Sequence, residues 1–126
     1  MRILFLYLTA FSQTGGIEKF NRAFLKALQD ISFDEHHQLR VISLYDKEPD
    51  ERYIDPTLFR GFNNLKTRFV VESILRGLNT DLVVLGHINL APMGLIIKQL
   101  KKKVRVVLVT HGIEVWNNLS RVKKKC

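Results

Sequence analysis

The sequence lacks the features that mark several common classes of protein. It holds one cysteine, Cys126 at its last position, so an internal disulfide and a cysteine-ligated metal site are excluded. It has no pair of histidines at the spacing of a helical zinc site, and the sparse cysteine is typical of a reducing compartment. No apolar run reaches ten residues, whereas a helix needs ~20 to cross a bilayer. Arg2 and the run from Ile3 to Phe11 resemble a weak secretory signal, but a buried first strand over Ile3 to Leu8 is the favoured interpretation.

Proline and glycine are also scarce, with three and seven residues among 126. The hydrophobic fraction is 46% and the charged fraction 25%, so the chain has enough apolar residues to form a core. Repeats and low-complexity segments are absent. The sequence therefore predicts a single folded domain over residues 1–126.

The net charge of +8 is confined to the end of the chain. Residues 1–97 carry eleven basic and eleven acidic side chains, whereas residues 98–126 carry nine basic side chains and one acid. Because no aromatic stacking motif and no recognised nucleic-acid-binding helix accompany this imbalance, it argues against nucleic-acid binding. Two interpretations stay open: lysines that favour a helix C-terminus, worth ~0.3–1 kcal/mol each, or an anionic membrane surface, worth roughly 1 kcal/mol per basic residue. The basic residues form two clusters: Lys98, Lys101, Lys102, Lys103 and Arg105, then Arg121, Lys123, Lys124 and Lys125.

Apolar periodicity predicts an alternation of strands and helices. Such alternation, with continuous apolar strands, predicts an α/β fold: a Rossmann-like, mainly parallel sheet with helices on both faces. The usual strand order places the first and fourth strands side by side, and ligands of such sheets bind at the carboxyl ends of the strands. The predicted strands are 2–8, 39–45, 57–62 (a short edge strand), 81–85 and 104–110; the predicted helices run from Gly16 to about residue 30, over 65–78 and 91–102, and from about Glu114.

A glycine pair stands where the first loop meets the first helix. Gly15 and Gly16 allow a tight turn and the close approach of a ligand, and a helix N-terminus favours phosphate. The alternative is a turn that only needs glycine geometry. A dinucleotide fingerprint would need three spaced glycines directly after the strand, which this chain lacks. Asp46 either holds a ribose, as that rule asks, or begins a solvated loop.

Two histidines follow neighbouring inner strands of the predicted sheet. His87 and His111 lie opposite the glycine loop, where a histidine donates to a phosphate oxygen or to a sugar hydroxyl. The alternative for each is a hydrogen-bonded structural residue. His36 and His37 lie in a polar segment, and we expect them to be exposed.

Three segments together resemble the amino-terminal half of a glycosyltransferase of family 4. They are GGIEKFNR at 15–22, GHINLAP at 86–92 and THGIEVW at 110–116. They stand in the right order and at the right strand ends, and the resemblance covers almost the whole chain. It implies the amino-terminal half of the GT-B architecture, in which two Rossmann-like domains face a cleft.

The resemblance also implies roles for single residues. Gly15 and Gly16 match the loop that approaches the donor diphosphate, and His111 matches the catalytic histidine that faces the reacting sugar. His87 and Asn89 match a loop on the floor of the cleft. The family retains the anomeric configuration and needs neither metal nor other cofactor.

Glu114 is assigned to the acceptor side of the same cleft. The donor is a nucleotide-sugar, and the acceptor is a sugar or a lipid-linked molecule. In the family the nucleotide is held mostly by a second, carboxyl-terminal domain, which these residues do not supply. We therefore expect an incomplete domain that is inactive alone, working with a donor domain in cis or in trans.

The resemblance implies a cytoplasmic enzyme, peripheral on the inner membrane face. Two alternatives remain: a subunit of a split glycosyltransferase, or a stand-alone domain that binds a nucleotide or another phosphorylated ligand. The donor nucleotide, the sugar and the acceptor are not specified by the sequence.

Overall fold

The computed structural model describes residues 1–10 and 16–109. They form a five-stranded sheet in the order β3-β2-β1-β4-β5, and every neighbouring pair is parallel. The predicted α/β fold is confirmed, including the placement of β1 beside β4. The strands are β1 Arg2–Tyr7, β2 Gln38–Ser43, β3 Phe59–Gly61, β4 Leu82–Leu85 and β5 Arg105–Leu108; the α-helices are α1 Gly16–Asp34, α2 Lys66–Gly77 and α3 Ala91–Leu100.

Strand β1 shows why a continuous apolar run becomes a central strand. Its successive side chains point to opposite faces, and Ile3 to Tyr7 are all buried. Leu4 and Leu6 belong to the core beneath α2 and α3, while Phe5 and Tyr7 belong to the core beneath α1. Helices therefore cover both faces of the sheet, as the sequence predicts.

Helix α1 is longer at its carboxyl end than the prediction, which stops at about residue 30. No glycine or proline interrupts its last turn, and Ser32 is buried there. The helix ends before His36, which has φ 59°, and the N–H of His37 donates to the Ser32 carbonyl at 2.8 Å. This is the usual left-handed helix end, formed here by histidine instead of glycine.

The edge strand is shorter than the predicted 57–62. Pro56–Leu58 forms a 3-10 turn instead, because the Asp55 carboxylate accepts the Thr57 N–H at 3.0 Å and Pro56 fits the first position. Of this segment, only the three residues of β3 pair with β2. The predicted helix from Glu114 lies outside the described residues.

Candidate functional site

The carboxyl ends of β1 and β4 lie side by side and lead to two of the segments that the sequence singles out. The amide of Gly86, just beyond β4, donates to the Leu6 carbonyl of β1 at 2.7 Å. The segments that follow these two strands therefore leave the sheet side by side. Of the six predicted site residues the structure describes three, Gly16, His87 and Asn89, while Gly15, His111 and Glu114 lie outside the described residues.

Gly16 is the first residue of α1 and is exposed. A Cβ built on it would meet none of the described atoms within 4 Å, and its φ is outside the left-handed region. Packing within the described part of the chain therefore does not require glycine here. The sequence offers two reasons for the glycine pair, a tight turn and the close approach of a ligand, and both stay predictions because Gly15 lies outside the described residues.

His87 is half-buried and caps the short 3-10 helix Ile88–Leu90 that leads into α3. Its Nδ1 accepts the backbone N–H of Asn89 at 3.0 Å. In the neutral ring one nitrogen accepts and the other carries the proton. The cap therefore assigns the proton of a neutral ring to Nε2.

Asn89 contributes its backbone to this cap, and its side chain is exposed. The sequence predicts a cleft role for the side chain, which no contact of the described residues tests. The backbone N–H of Asn89 orients the His87 ring, and sequence patterns do not reveal this role.

Gly86 explains how His87 reaches its place. A Cβ at position 86 would lie 2.9 Å from Cβ of Tyr7 and 3.1 Å from two ring carbons of Phe5. Both aromatic residues are fully buried and stacked on one another, with ring centroids 5.1 Å apart. Only glycine lets the chain turn over this stack and emerge at His87.

Asp46 is the residue that the sequence interpretation misjudged. A largely exposed loop does follow it, with Lys47 and Glu48 exposed, but Asp46 itself is 0% exposed. Its carboxylate accepts the Thr9 hydroxyl at 2.9 Å and the Ala10 N–H at 2.8 Å. A carboxylate enclosed in this way is not open to ribose hydroxyls, so the structure also argues against the dinucleotide alternative.

Two polar residues of α1 bind the same two-residue segment from its other side. The Asn21 side-chain amide donates to the Thr9 carbonyl at 2.9 Å, and Arg22 Nη1 donates to the Ala10 carbonyl at 3.3 Å. The amphipathic pattern of α1 places Arg22 on its outer face, and nothing in that pattern signals these contacts. Sequence reasoning missed Asn21 altogether.

The Tyr7 hydroxyl lies beneath this network and is buried without a hydrogen-bond partner of ordinary geometry among the described residues. Burial, reinforced by the charge of Asp46, raises the pKa of Tyr7 well above its usual value. The phenol is therefore neutral at physiological pH and offers no anion to a ligand.

The amino edge of the sheet, at the opposite end of the strands, has a different composition. An open cavity of about 910 Å³ lies there, and Arg2, Arg40, Arg76 and Asn79 are among its lining residues. It includes none of the predicted site residues. We place the candidate site at the carboxyl edge, because the glycine and histidine chemistry is there.

Part of the first basic cluster also belongs to the amino edge. Lys98 Nζ donates to the Val104 carbonyl at 2.6 Å, and Lys101 Nζ donates to the Thr80 carbonyl at 3.2 Å. These two lysines stabilise the junctions before β5 and β4, and their acceptors lie outside α3, so the helix C-terminus interpretation stays a prediction. Lys102 and Lys103 are exposed. The second cluster lies outside the described residues.

Of the two histidines before β2, only one is exposed as the sequence predicts. His36 is exposed, but His37 is half-buried, and its ring nitrogens lie 3.2 Å from the amino group of Met1 and 3.2 Å from the Glu35 carboxylate. His37 therefore connects the start of the chain to the segment between α1 and β2.

No helix among the described residues has the length and apolarity to cross a membrane. Within the same residues, no three side chains of the metal-ligating types come together, and the metal-free site stays a prediction because His111 and Glu114 lie outside them. Comparisons with protein-family models, with curated proteins and with solved structures gave no match.

Proposed function

We propose that this chain is the amino-terminal, acceptor-side domain of a retaining glycosyltransferase that moves a sugar from a nucleotide-sugar to an acceptor. The observation that carries the proposal is the oriented imidazole of His87. Its Nδ1 accepts the Asn89 N–H, which leaves the proton of a neutral ring on Nε2, and His87 follows β4, the strand that pairs with β1.

A donor of this kind suits an oxygen-rich ligand. Phosphate oxygens and sugar hydroxyls both accept hydrogen bonds, and an imidazole of fixed tautomer meets them without reorganising. Gly16 adds an exposed helix start with room for close approach. Gly15, His111 and Glu114 complete the proposed site as the sequence assigns them: diphosphate loop, catalytic histidine and acceptor side.

The proposal includes a partner domain. Transfer needs positioning of both substrates and stabilisation of the leaving diphosphate, and one wall of a cleft supplies too little of either. A donor-binding domain in cis or in trans would supply the rest. A sugar or a lipid-linked molecule would be the acceptor, in the cytoplasm and at the inner membrane face, and no metal would be needed.

The experiment that tests the proposal is an amide-shift titration of the ¹⁵N-labelled 126-residue chain. The probes are UDP-glucose, GDP-mannose and, for the dinucleotide alternative, NAD⁺. We expect millimolar sugar nucleotides to move the amide signals of Gly16, His87 and Asn89. Arg40 and Asn79 at the amino edge are the internal controls, and their signals should stay in place.

The variant Gly16→Ala sharpens this test, because a Cβ at position 16 has room in the described structure. We expect it to fold normally and to bind the sugar nucleotides less tightly. Shifts confined to the amino edge, or a stronger response to NAD⁺, would contradict the proposal. Tight binding of free nucleotide would favour the stand-alone binding domain, and robust sugar transfer by this chain alone would overturn the need for a partner domain.

A further inference from the structure

The end of β2 is tied to the segment that follows β1 through one buried carboxylate. Asp46 accepts the Thr9 hydroxyl at 2.9 Å with one oxygen and the Ala10 N–H at 2.8 Å with the other. Ala10 is itself fully buried. Both oxygens of the carboxylate are thus used to hold two consecutive residues in one orientation.

Helix α1 is tied to the same two residues. The Asn21 side chain donates to the Thr9 carbonyl and the Arg22 guanidinium donates to the Ala10 carbonyl, at 2.9 and 3.3 Å. Thr9 and Ala10 therefore lie between the carboxylate on one side and α1 on the other. A shift of Asp46 would reach α1 through this pair.

The strand end beneath the carboxylate is also fixed. The Ser43 hydroxyl donates to the Leu8 carbonyl at 3.0 Å and accepts the Asp46 N–H at 3.2 Å. Charge-assisted hydrogen bonds in a water-free setting are stronger than neutral ones and tolerate less displacement. Such a network sets position as well as stability.

We infer that Asp46 is a positioning residue, which sets the start of α1 and hence Gly16 against the end of β1 by way of Thr9 and Ala10. The inference rests on the proposed function for the identity of the ligand that meets this surface. Asp46 itself touches no ligand, because it has no exposed surface. Its role is to hold the donor-diphosphate side of the site in the geometry that binds.

The test compares the same substitution at the two ends of β1. Asp46→Asn keeps the shape of the side chain but leaves one oxygen for two donors. Asp81→Asn is the matched control, since Asp81 accepts the Arg2 N–H at 2.8 Å at the amino end of the strand and is exposed. A second pair of variants serves if Asp46→Asn does not fold. Thr9→Val removes the hydroxyl that Asp46 accepts, and Thr9→Ser keeps it.

Two readouts are taken from each variant. Amide hydrogen exchange at Ala10 and the side-chain amide signal of Asn21 report the network without any ligand. Titration with UDP-glucose and GDP-mannose, followed at Gly16 in folded protein, reports affinity independently of global stability. We expect about tenfold weaker binding for Asp46→Asn and Thr9→Val, and wild-type binding for Thr9→Ser and Asp81→Asn.

The outcomes separate the two proposals. Wild-type affinity in Asp46→Asn and Thr9→Val, while the wild type binds, would overturn the positioning role and leave the proposed function intact. An unchanged exchange rate at Ala10 would overturn it as well. If neither sugar nucleotide moves the Gly16 signal in the wild type, the proposed function fails, and with it the functional part of this inference.

Discussion

The two ends of β1 are each held by a carboxylate, and the two carboxylates behave differently. At the amino edge the carboxylate is Asp81, which accepts the Arg2 N–H and is 46% exposed. At the carboxyl edge it is Asp46, which is fully buried and accepts two donors. Water screens and replaces the first interaction, whereas nothing replaces the second. The comparison teaches that similar hydrogen bonds fix a geometry only where solvent is excluded.

The same contrast extends to the surroundings of the two edges. The carboxyl edge combines the capped imidazole of His87, the exposed first residue of α1 and a buried network, and we propose it as the ligand site. The amino edge combines exposed charges of both signs with an open cavity. The following four predictions test this division, from the largest expected effect to the smallest.

The largest effect is expected from adding one methyl group at the carboxyl edge. A Cβ at Gly61 would meet the backbone carbonyl of Asp46 and lie 2.8 Å from the Lys47 carbonyl oxygen. Because backbone cannot move aside as a side chain does, we expect Gly61→Ala to lower the free energy of unfolding by about 3 kcal/mol. Urea unfolding measures it, and Gly16→Ala, with no change beyond about 0.5 kcal/mol, is the control. Equal free energies of unfolding for Gly61→Ala and Gly16→Ala would show that the carboxyl edge is not rigid.

The next effect concerns the two ring nitrogens of His87. Two substitutions distinguish the role of Nδ1 in the cap from the role of Nε2 as a donor. His87→Asn keeps an acceptor for the Asn89 N–H but removes the Nε2 donor. We expect it to retain stability and to bind sugar nucleotides about tenfold less tightly. His87→Gln keeps an N–H donor at longer reach but loses the cap, so we expect about 1 kcal/mol lower stability with binding largely kept. Unchanged binding by His87→Asn together with weakened binding by His87→Gln would contradict the donor role of Nε2.

A smaller effect is expected where lysines bind carbonyls at the amino edge. Lys98→Met and Lys101→Met each lose one hydrogen bond to a backbone oxygen, so we expect losses of about 0.5–1 kcal/mol in urea unfolding. Lys102→Gln with Lys103→Gln should leave stability unchanged and weaken sedimentation with anionic vesicles at low salt. Equal binding of the wild type to neutral and anionic vesicles would count against membrane association.

The smallest effect is a pH dependence at Asp81. The hydrogen bond from the Arg2 N–H, with a contribution from the Arg2 charge, lowers the pKa of Asp81 below its ordinary 3.8. A lowered folded-state pKa stabilises the protein above about pH 3.8, and this stabilisation is lost as the pH falls through the folded-state pKa. Thermal unfolding between pH 3 and 7 should show a slightly flatter acid limb for Asp81→Asn. An identical slope would mean that the interaction contributes nothing.

Much of the fold was predictable because apolar periodicity is a local property. The run in β1 and the three- and four-residue spacing in α1 specify their own burial, and parallel pairing follows from the alternation of elements. Element ends were less predictable. His36 in the left-handed conformation and the turn at Asp55 depend on which donors and acceptors meet, so α1 and β3 differed in length from expectation.

The candidate site divides in the same way. Glycine and histidine at strand ends are visible in the sequence, so His87 and Gly16 could be named as candidates, and their part in a site stays a prediction. The tautomer of His87 depends on a hydrogen bond to Asn89, and the role of Asp46 depends on donors 36 and 37 positions away in the chain. No local pattern encodes such contacts.

The sequence by itself determined the α/β class, the strand neighbours at the switch point and the residue types at the carboxyl edge. These follow from hydrophobic periodicity, chain connectivity and the handedness of crossovers. Only the tertiary structure decided that Asp46 is buried and shared by Thr9 and Ala10, and that Lys98 and Lys101 serve backbone carbonyls. Burial and hydrogen-bond partners depend on which distant segments exclude water together, and that is a property of the packed chain.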